Sequence, residues 1–308
     1  SEMLMDGFAA LVDAGVVKRL VVEEVALMQR LDDGTADAAD HQRLQREGRY
    51  LHGAFYLGSS DFYAWLRTRT PEQAGRILMT RVSHLNELYG GQEALERLQR
   101  RNARFFNTCM MMTALGAAVS DALEDGRIVS GVGGQYNFVA MAHALHDARS
   151  VLLLRASHER PHGSSSNVRW NYGHTTIPRH LRDIAITEHG IADLRDARDG
   201  DCVLAMLAIA DARYQPELVA AAQAALKLPR DFVAPAQWQR NTHARIRAAL
   251  APFRSSGVLP DYPMGSDFTP VEQRLVRALA WLKQATGTRL GKIATVDPSP
   301  TSALSAAW

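Results

Sequence analysis

The sequence predicts an α/β fold, a mostly parallel sheet with helices on both faces, followed by a C-terminal helical extension. Three observations carry this. Short leucine-rich or β-branched runs, VLLLR at residues 151–155 and DIAIT at 183–187, read as buried parallel strands. Apolar residues recur at helical spacing between and after them, at residues 138–148, 201–212 and 216–226. Residues 50–67 join an apolar run to an amphipathic helix through Gly58-Ser59-Ser60, a β-turn-α signature.

In chain order, residues 4–17 place Leu4, Phe8, Leu11 and Val12 on one helical face, with Gly15 positioned to end the helix. Residues 18–27, KRLVVEEVAL, read as a strand or a strand passing into a loop. Residues 32–47 are polar, charged and poor in aromatics, an insertion or solvent-facing helix expected to carry no chemistry. Residues 105–115, FFNTCMMMTAL, look too apolar for a half-exposed strand and are expected at the centre of a sheet. After residue 227 the texture turns to Pro-rich loop, then a basic helix at 242–250, a Gly/Pro/Ser-rich stretch at 255–266 and an amphipathic helix at 269–285 with Thr269 capping and Pro270 in its first turn. The expected division is therefore 1–227, the core domain, and 228–308, a helical extension of unknown role. No internal repeat is visible.

Composition sets outer bounds. At 308 residues, 46% hydrophobic and 22% charged, the chain has ordinary globular composition, which excludes a disordered, collagen-like or disulfide-stapled protein. Thirty-five Lys plus Arg against 33 Asp plus Glu leave a net charge of +2, which argues against nucleic acid as a partner. Cys109 and Cys202 stand apart without metal-ligand spacing, as expected of a reducing, cytoplasmic compartment. No apolar run reaches about 18 residues and SEMLMDGF lacks a leader pattern, so no membrane association is expected. The abrupt helical opening suggests a piece of a longer chain.

Three segments could carry chemistry. In SGVGGQ (130–135), followed by Phe138 and a helical pattern, Gly131, Val132, Gly133 and Gly134 would let backbone N–H groups approach a ligand, and the helix start adds a positive partial charge. A tight turn that merely needs positive φ has the same appearance. In TEHGIADLR (187–195), Glu188 and Gly190 lie where open sheets place ligands, although Thr187 or Glu188 could equally cap a following helix. In GHTTIPR (173–179), Thr175 and Arg179 could line an anion site or an ordinary hydrated loop. His143 and His146 share a helical face but lack a third ligand, so no metal is expected.

Taken in order, SEMLMDG with its helix to AGVV, GAFYLGSSDFYAWL, SGVGGQYNF, GHTTIPR and TEHGIADLR resemble the C-terminal half of the acetyl-CoA hydrolase and CoA-transferase family, which includes 4-hydroxybutyrate and succinyl-CoA:acetate CoA-transferases. The resemblance spans about residues 1–225 and is strongest over 130–195. It implies an enzyme of two similar α/β halves with acyl-CoA between them, whose glutamate passes CoA to a carboxylate or water through a glutamyl-CoA thioester. The matching glutamate is Glu2, and the glycine loop with Gln135 and Phe138 would hold CoA. Thr175, Arg179, Glu188 and Gly190 would line the substrate. Implied partners are a missing N-terminal half, without which the fragment is inactive, acyl-CoA, a small carboxylate such as acetate and a second copy in a homodimer, with no metal.

One departure matters. Relatives usually carry an acidic pair, as in ALEVD, after the central strand, whereas residues 114–121 read ALGAAVSD. The departure leaves a second reading open, a noncatalytic CoA-binding or assembly module derived from this family. A sugar-phosphate isomerase would require an acid/base pair that the sequence does not offer.

Overall fold

The computed structural model describes residues 1–160 and 163–285. Residues 286–308 of the expected extension lie outside the described residues. A first lobe is built from strand β1 (Met3–Leu4), helices α1 (Asp6–Asp13), α2 (Val25–Asp33) and α3 (Ala38–Glu47), strands β2 (Leu51–Gly53) and β3 (Phe55–Tyr56), helices α4 (Ser60–Arg67) and α5 (Pro71–Gly75), strand β4 (Ile77–Met79), and helices α6 (Val82–Asn86) and α7 (Glu93–Gln99). β1 runs parallel to β3 and β2 parallel to β4. The expected helical stripe forms only in part: Leu4 lies in β1, where it is buried with Ala9, Leu51 and Phe62, Phe8 and Val12 pack against that cluster from α1, and Leu11 is left 42% exposed. Gly15, at φ +66°, follows the end of α1.

The expected strand over residues 18–27 does not form. Val21 makes one isolated bridge to Arg49, and the helix α2 begins at Val25. Apolar side chains from that segment are buried instead by helix packing, Val22, Leu27 and Met28 meeting Leu95 of α7. α3 buries none of its residues and is closed by a capping box between Asp37 and Asp40, which agrees with a solvent-facing helix.

The second lobe holds β5 (Arg104–Thr108), β6 (Met111–Thr113), β7 (Ala118–Val119), helix α8 (Gln135–Ala144), β8 (Arg149–Leu153), β9 (Ser157–Arg160), β10 (Gly163–Ser166), β11 (Val168–Arg169), β12 (Ile184–Thr187), β13 (Gly190–Asp193), α9 (Asp199–Ala208) and α10 (Gln215–Ala224). Its main sheet has the order β13-β12-β8-β5, parallel except for the β12–β13 hairpin. Helix α8 lies against β5 and β8, and α9 against β13. The largest core joins Leu152, Ala185, Ala192 and Leu194 to Cys202, Val203, Met206 and Leu207 of α9. The α/β class with a mostly parallel sheet is therefore what forms.

Two expectations about strands are corrected. Residues 105–115 are not one central strand: the run breaks at Cys109-Met110 into β5, at the edge of the main sheet, and β6, in a separate sheet with β7 and β11. Phe106 is consequently 62% exposed. Nor does residue 188 cap a helix. Thr187 pairs with Gly190, so Glu188 and His189 form the tip of the β12–β13 hairpin.

Past Leu228 the chain remains on this core. Phe232 and Trp238 pack against it, and Asn241 Nδ2 donates to the carbonyls of Ala208 and Ala210 at 2.7 and 3.0 Å. Helices α11 (His243–Ser255) and α12 (Pro270–Ala285) follow. Between them, the Asp267 carboxylate accepts from the Ser60 N–H at 2.6 Å, returning the chain to the first lobe.

Candidate functional site

Glu2 is held by the sheet rather than frayed. Its carbonyl accepts from the N–H groups of Ala54 and Phe55 at 3.0 and 3.1 Å, and the next residue pairs with Phe55 in β3. Leu4 lies beneath Gly53, where a Cβ would come within 2.6 Å of the leucine Cγ, so this crossing requires glycine. Asp6, the acid of the SEMxxDG run, accepts from the Ser59 hydroxyl at 2.5 Å and from its N–H at 3.2 Å. Ser59 in turn caps α4. The opening motif is thus a clamp that fixes the backbone on either side of the glutamate.

Glu2 and the glycine loop meet. A Cβ built on Gly134 would lie 2.3 Å from Glu2 Oε2 and 2.6 Å from Asn86 Nδ2. Asn86, the last residue of α6, donates through Nδ2 to the same Oε2 at 2.9 Å. Gly134 is the N-cap of α8, so the carboxylate sits at the positive end of that helix. The N–H groups of Gly131, Val132, Gly133 and Gly134 find no acceptor among the described residues. Positions 131 and 133 have open space where a side chain would be, and Gly133 adopts φ +56°. The arrangement presents a half-buried carboxylate, one amide donor on it, and a row of unpaired backbone donors beside it.

The loop is anchored from behind by Gln135, which is buried and donates through Nε2 to the Thr108 carbonyl at 2.7 Å. Phe138 packs its ring 5.6 Å from that of Phe105, inside the sheet–helix core. These two side chains, expected at the ligand, support the loop through the fold. Its start is fixed by the Asp121 carbonyl, which accepts from the N–H groups of Val129 and Ser130. Asp121 itself is gripped by Thr176 and by His174 at 3.1 Å.

Thr108 also lines a cavity of about 770 Å³ at the carboxyl ends of β5, β8 and β12. Glu188, Arg155, His158 and Asn167 face it among apolar side chains. Glu188 is fixed there by the Ala156 N–H at 2.8 Å and His243 Nε2 at 3.3 Å. Cys109 also lines it, but burial pushes its thiol up to about 12, which leaves the protonated, unreactive form. Gly190 begins β13. Thr175 and Arg179 are exposed, and Arg179 pairs with Asp199 at 3.1 Å. His143 donates through Nε2 to the Leu181 carbonyl at 2.9 Å and His146 pairs with Asp147, so these two do not converge.

Two groups escaped the sequence analysis. Asn86 lies in RVSHLNELYGG, which carries no motif signal. Glu23, His52 and His84 converge, with a ligating atom of each within 4.8 Å of the others. Sequence separations of tens of residues concealed them, since metal-ligand spacing is recognisable only where ligands share an element.

Among the described residues no helix is long and apolar enough to cross a membrane. No curated protein matches the chain. Of solved structures, RipA from Yersinia pestis is similar with a TM-score of 0.54 and 22% identity, over 74% of this chain and 44% of that one. A RipA variant gives a TM-score of 0.55 at 22% identity over the same shares. A 4-hydroxybutyrate CoA-transferase from Porphyromonas gingivalis gives 0.49 at 17% identity, over 73% and 44%. The chain spans less than half the length of these proteins, and the RipA likeness establishes a shared fold. The model of the acetyl-CoA hydrolase/transferase C-terminal domain matches residues 58–222, which include Asn86 and the glycine loop and begin after Glu2. That match covers more than half of the 308 residues, and the chain belongs to the acetyl-CoA hydrolase/transferase C-terminal domain family.

Proposed function

We propose that this chain is the C-terminal half of an acyl-CoA hydrolase or CoA-transferase and that Glu2 is its nucleophile. One juxtaposition supports the reading: the Glu2 carboxylate, oriented by Asn86 at 2.9 Å, rests against Gly134 beside unpaired backbone donors. A carboxylate is a weak nucleophile and has to be held against the carbonyl it attacks, with donors ready for the developing oxyanion. Here the backbone of β1 fixes the glutamate, Asn86 fixes its oxygen, and residues 131–134 supply the donors. The second α/β half would close over the loop and complete the CoA site.

In the reaction, a Glu2 oxygen adds to the thioester carbonyl and the tetrahedral species expels CoA thiolate, leaving an acyl-glutamyl anhydride. The thiolate then attacks the glutamyl carbonyl, releasing the first carboxylate and forming glutamyl-CoA. An acceptor carboxylate repeats these two steps in reverse, ending in a new acyl-CoA and free Glu2. In a hydrolase, water attacks instead, its hydroxyl remaining on the acid and its proton passing to the thiolate. The cavity from Thr108 to Glu188 is of a size to take the acyl portion or part of the pantetheine arm, since ligand pockets run to roughly 300–1,000 Å³.

The test is acyl exchange by the longer protein containing both halves, with acetyl-CoA and several carboxylate acceptors. Exchange or hydrolysis that falls by at least ~10³-fold in Glu2→Gln supports the assignment. Full turnover by Glu2→Gln overturns it, and CoA binding without any turnover identifies the noncatalytic module instead.

A further inference from the structure

We propose that Glu23, His52 and His84 form a binding site for a divalent metal ion of the zinc type, built on the two segments whose neighbouring residues hold Glu2. The three residues come from the segment before α2, from β2 and from the middle of α6, and their ligating atoms lie within 4.8 Å of one another. They form the one such group among the described residues.

Spacing separates this cluster from a hydrogen-bonded one. His52 Nε2 stands 3.7 Å from Glu23 Oε1, beyond hydrogen-bond reach, and is buried with no partner. Two donor atoms on a tetrahedral zinc, each about 2.1 Å from it, are roughly 3.4 Å apart. The pair is thus too far apart to bond directly and close to the separation that a shared cation imposes. Glu23, 37% exposed, supplies an arm that can adjust by side-chain rotation.

Charged and polar side chains surround the cluster. Glu96, almost fully buried, places Oε1 3.7 Å from His84 Nδ1 and is itself held by Arg100 at 3.1 Å. Gln99 Nε2 donates to Glu23 Oε1 at 3.1 Å. Two imidazoles and one carboxylate with a fourth position open suit Zn²⁺ and its Co²⁺ substitute better than Mg²⁺ or Ca²⁺, which take oxygen-rich sets.

The location gives the ion a positioning role. The His52 carbonyl accepts from the Ser1 nitrogen at 2.9 Å, and the next two N–H groups beyond Gly53 hold the Glu2 carbonyl. His84 lies two residues before Asn86, the donor to the Glu2 carboxylate. An ion here ties together the two segments that set the glutamate in place. The inference rests on the cluster alone and stands whether or not Glu2 is a nucleophile.

Chelator-stripped protein is titrated with ZnCl₂ by calorimetry and with CoCl₂ by visible absorption. The expected result is one equivalent per chain, the d–d bands of low-coordinate cobalt, and a zinc-dependent rise in Tm. Glu23→Ala, His52→Ala and His84→Ala should each weaken zinc by at least ~10-fold and abolish the cobalt bands, while His143→Ala leaves both unchanged. Glu23→Ala changes a surface side chain, so it decides the matter if the histidine variants fail to fold. Absence of stoichiometric binding in the wild-type protein, or unchanged binding in Glu23→Ala, overturns the proposal.

Discussion

Gly134→Ala separates the role of the glutamate from the stability of the fold. The new Cβ would lie 2.3 Å from Glu2 Oε2, against ordinary contacts that begin at 3.4 Å, so the carboxylate must retreat by about 1 Å. Asn86 Nδ2, at 2.6 Å from the same point, is pushed as well, which breaks the bond that orients that oxygen. Gly134 has φ −83°, a conformation open to alanine, and the atoms in the way are the ends of side chains that can move. Stability should therefore change by no more than about 1 kcal/mol. A misplacement of about 1 Å in a reacting group costs on the order of 10²-fold in rate, about 2.7 kcal/mol of transition-state stabilisation. Acyl exchange by the longer protein proposed to contain both halves, with a thermal melt in parallel, measures both quantities, and Gly75→Ala, in open space, serves as the neutral control. Turnover that survives Gly134→Ala at the wild-type level would refute the reasoning that the loop and the glutamate share one site.

Other consequences follow from the same contacts. Asn86→Ala should lower kcat by roughly 10–10²-fold with a normal melt, because one oriented hydrogen bond to the proposed nucleophile is lost. Asp6→Ala removes the acceptor for both Ser59 donors and should cost about 1–2 kcal/mol in urea unfolding. Gly53→Ala places a Cβ 2.6 Å from Leu4 Cγ and should destabilise by about 1–3 kcal/mol through overpacking. Burial works to raise Asp211, and hydrogen bonds from Arg213 and Ser157 override it, holding the carboxyl down at about 2 against an ordinary 3.8. Its folded value lies below its unfolded one, so this stability is whole above about pH 4 and is lost as pH falls towards 2. Acid titrations of Asp211→Asn should show a shallower decline across that window than the wild type.

Local chemistry made much of this molecule legible. The Thr269 cap and the parallel strands at 149–153 and 184–187 follow from periodicity and turn residues. The nucleophile candidate and its glycine loop were legible as motifs, because each is a contiguous run. What remained hidden depends on long-range placement. The apolar run 105–115 reads as one strand, but a break at Cys109-Met110 sends its halves to two sheets, and no local signal says that β5 will be an edge. Val21 and Val22 look like strand residues, although their burial comes from α2 and α7. Gln135 lies in a ligand-like loop and is turned inward by the Thr108 carbonyl. Asn86 and the His52–His84 pair become visible only when β2 and α6 are brought together.

Peptide mapping of the longer protein proposed to contain both halves, after incubation with acyl-CoA, tests the central claim most directly. Borohydride reduces a glutamyl-CoA thioester and hydroxylamine converts it to a hydroxamate, each leaving a mass mark on the residue that carried CoA. The account predicts that mark on Glu2, dependent on acyl-CoA and absent from Glu2→Gln. A mark on a different carboxylate in an active enzyme, with Glu2 unmodified, would contradict it.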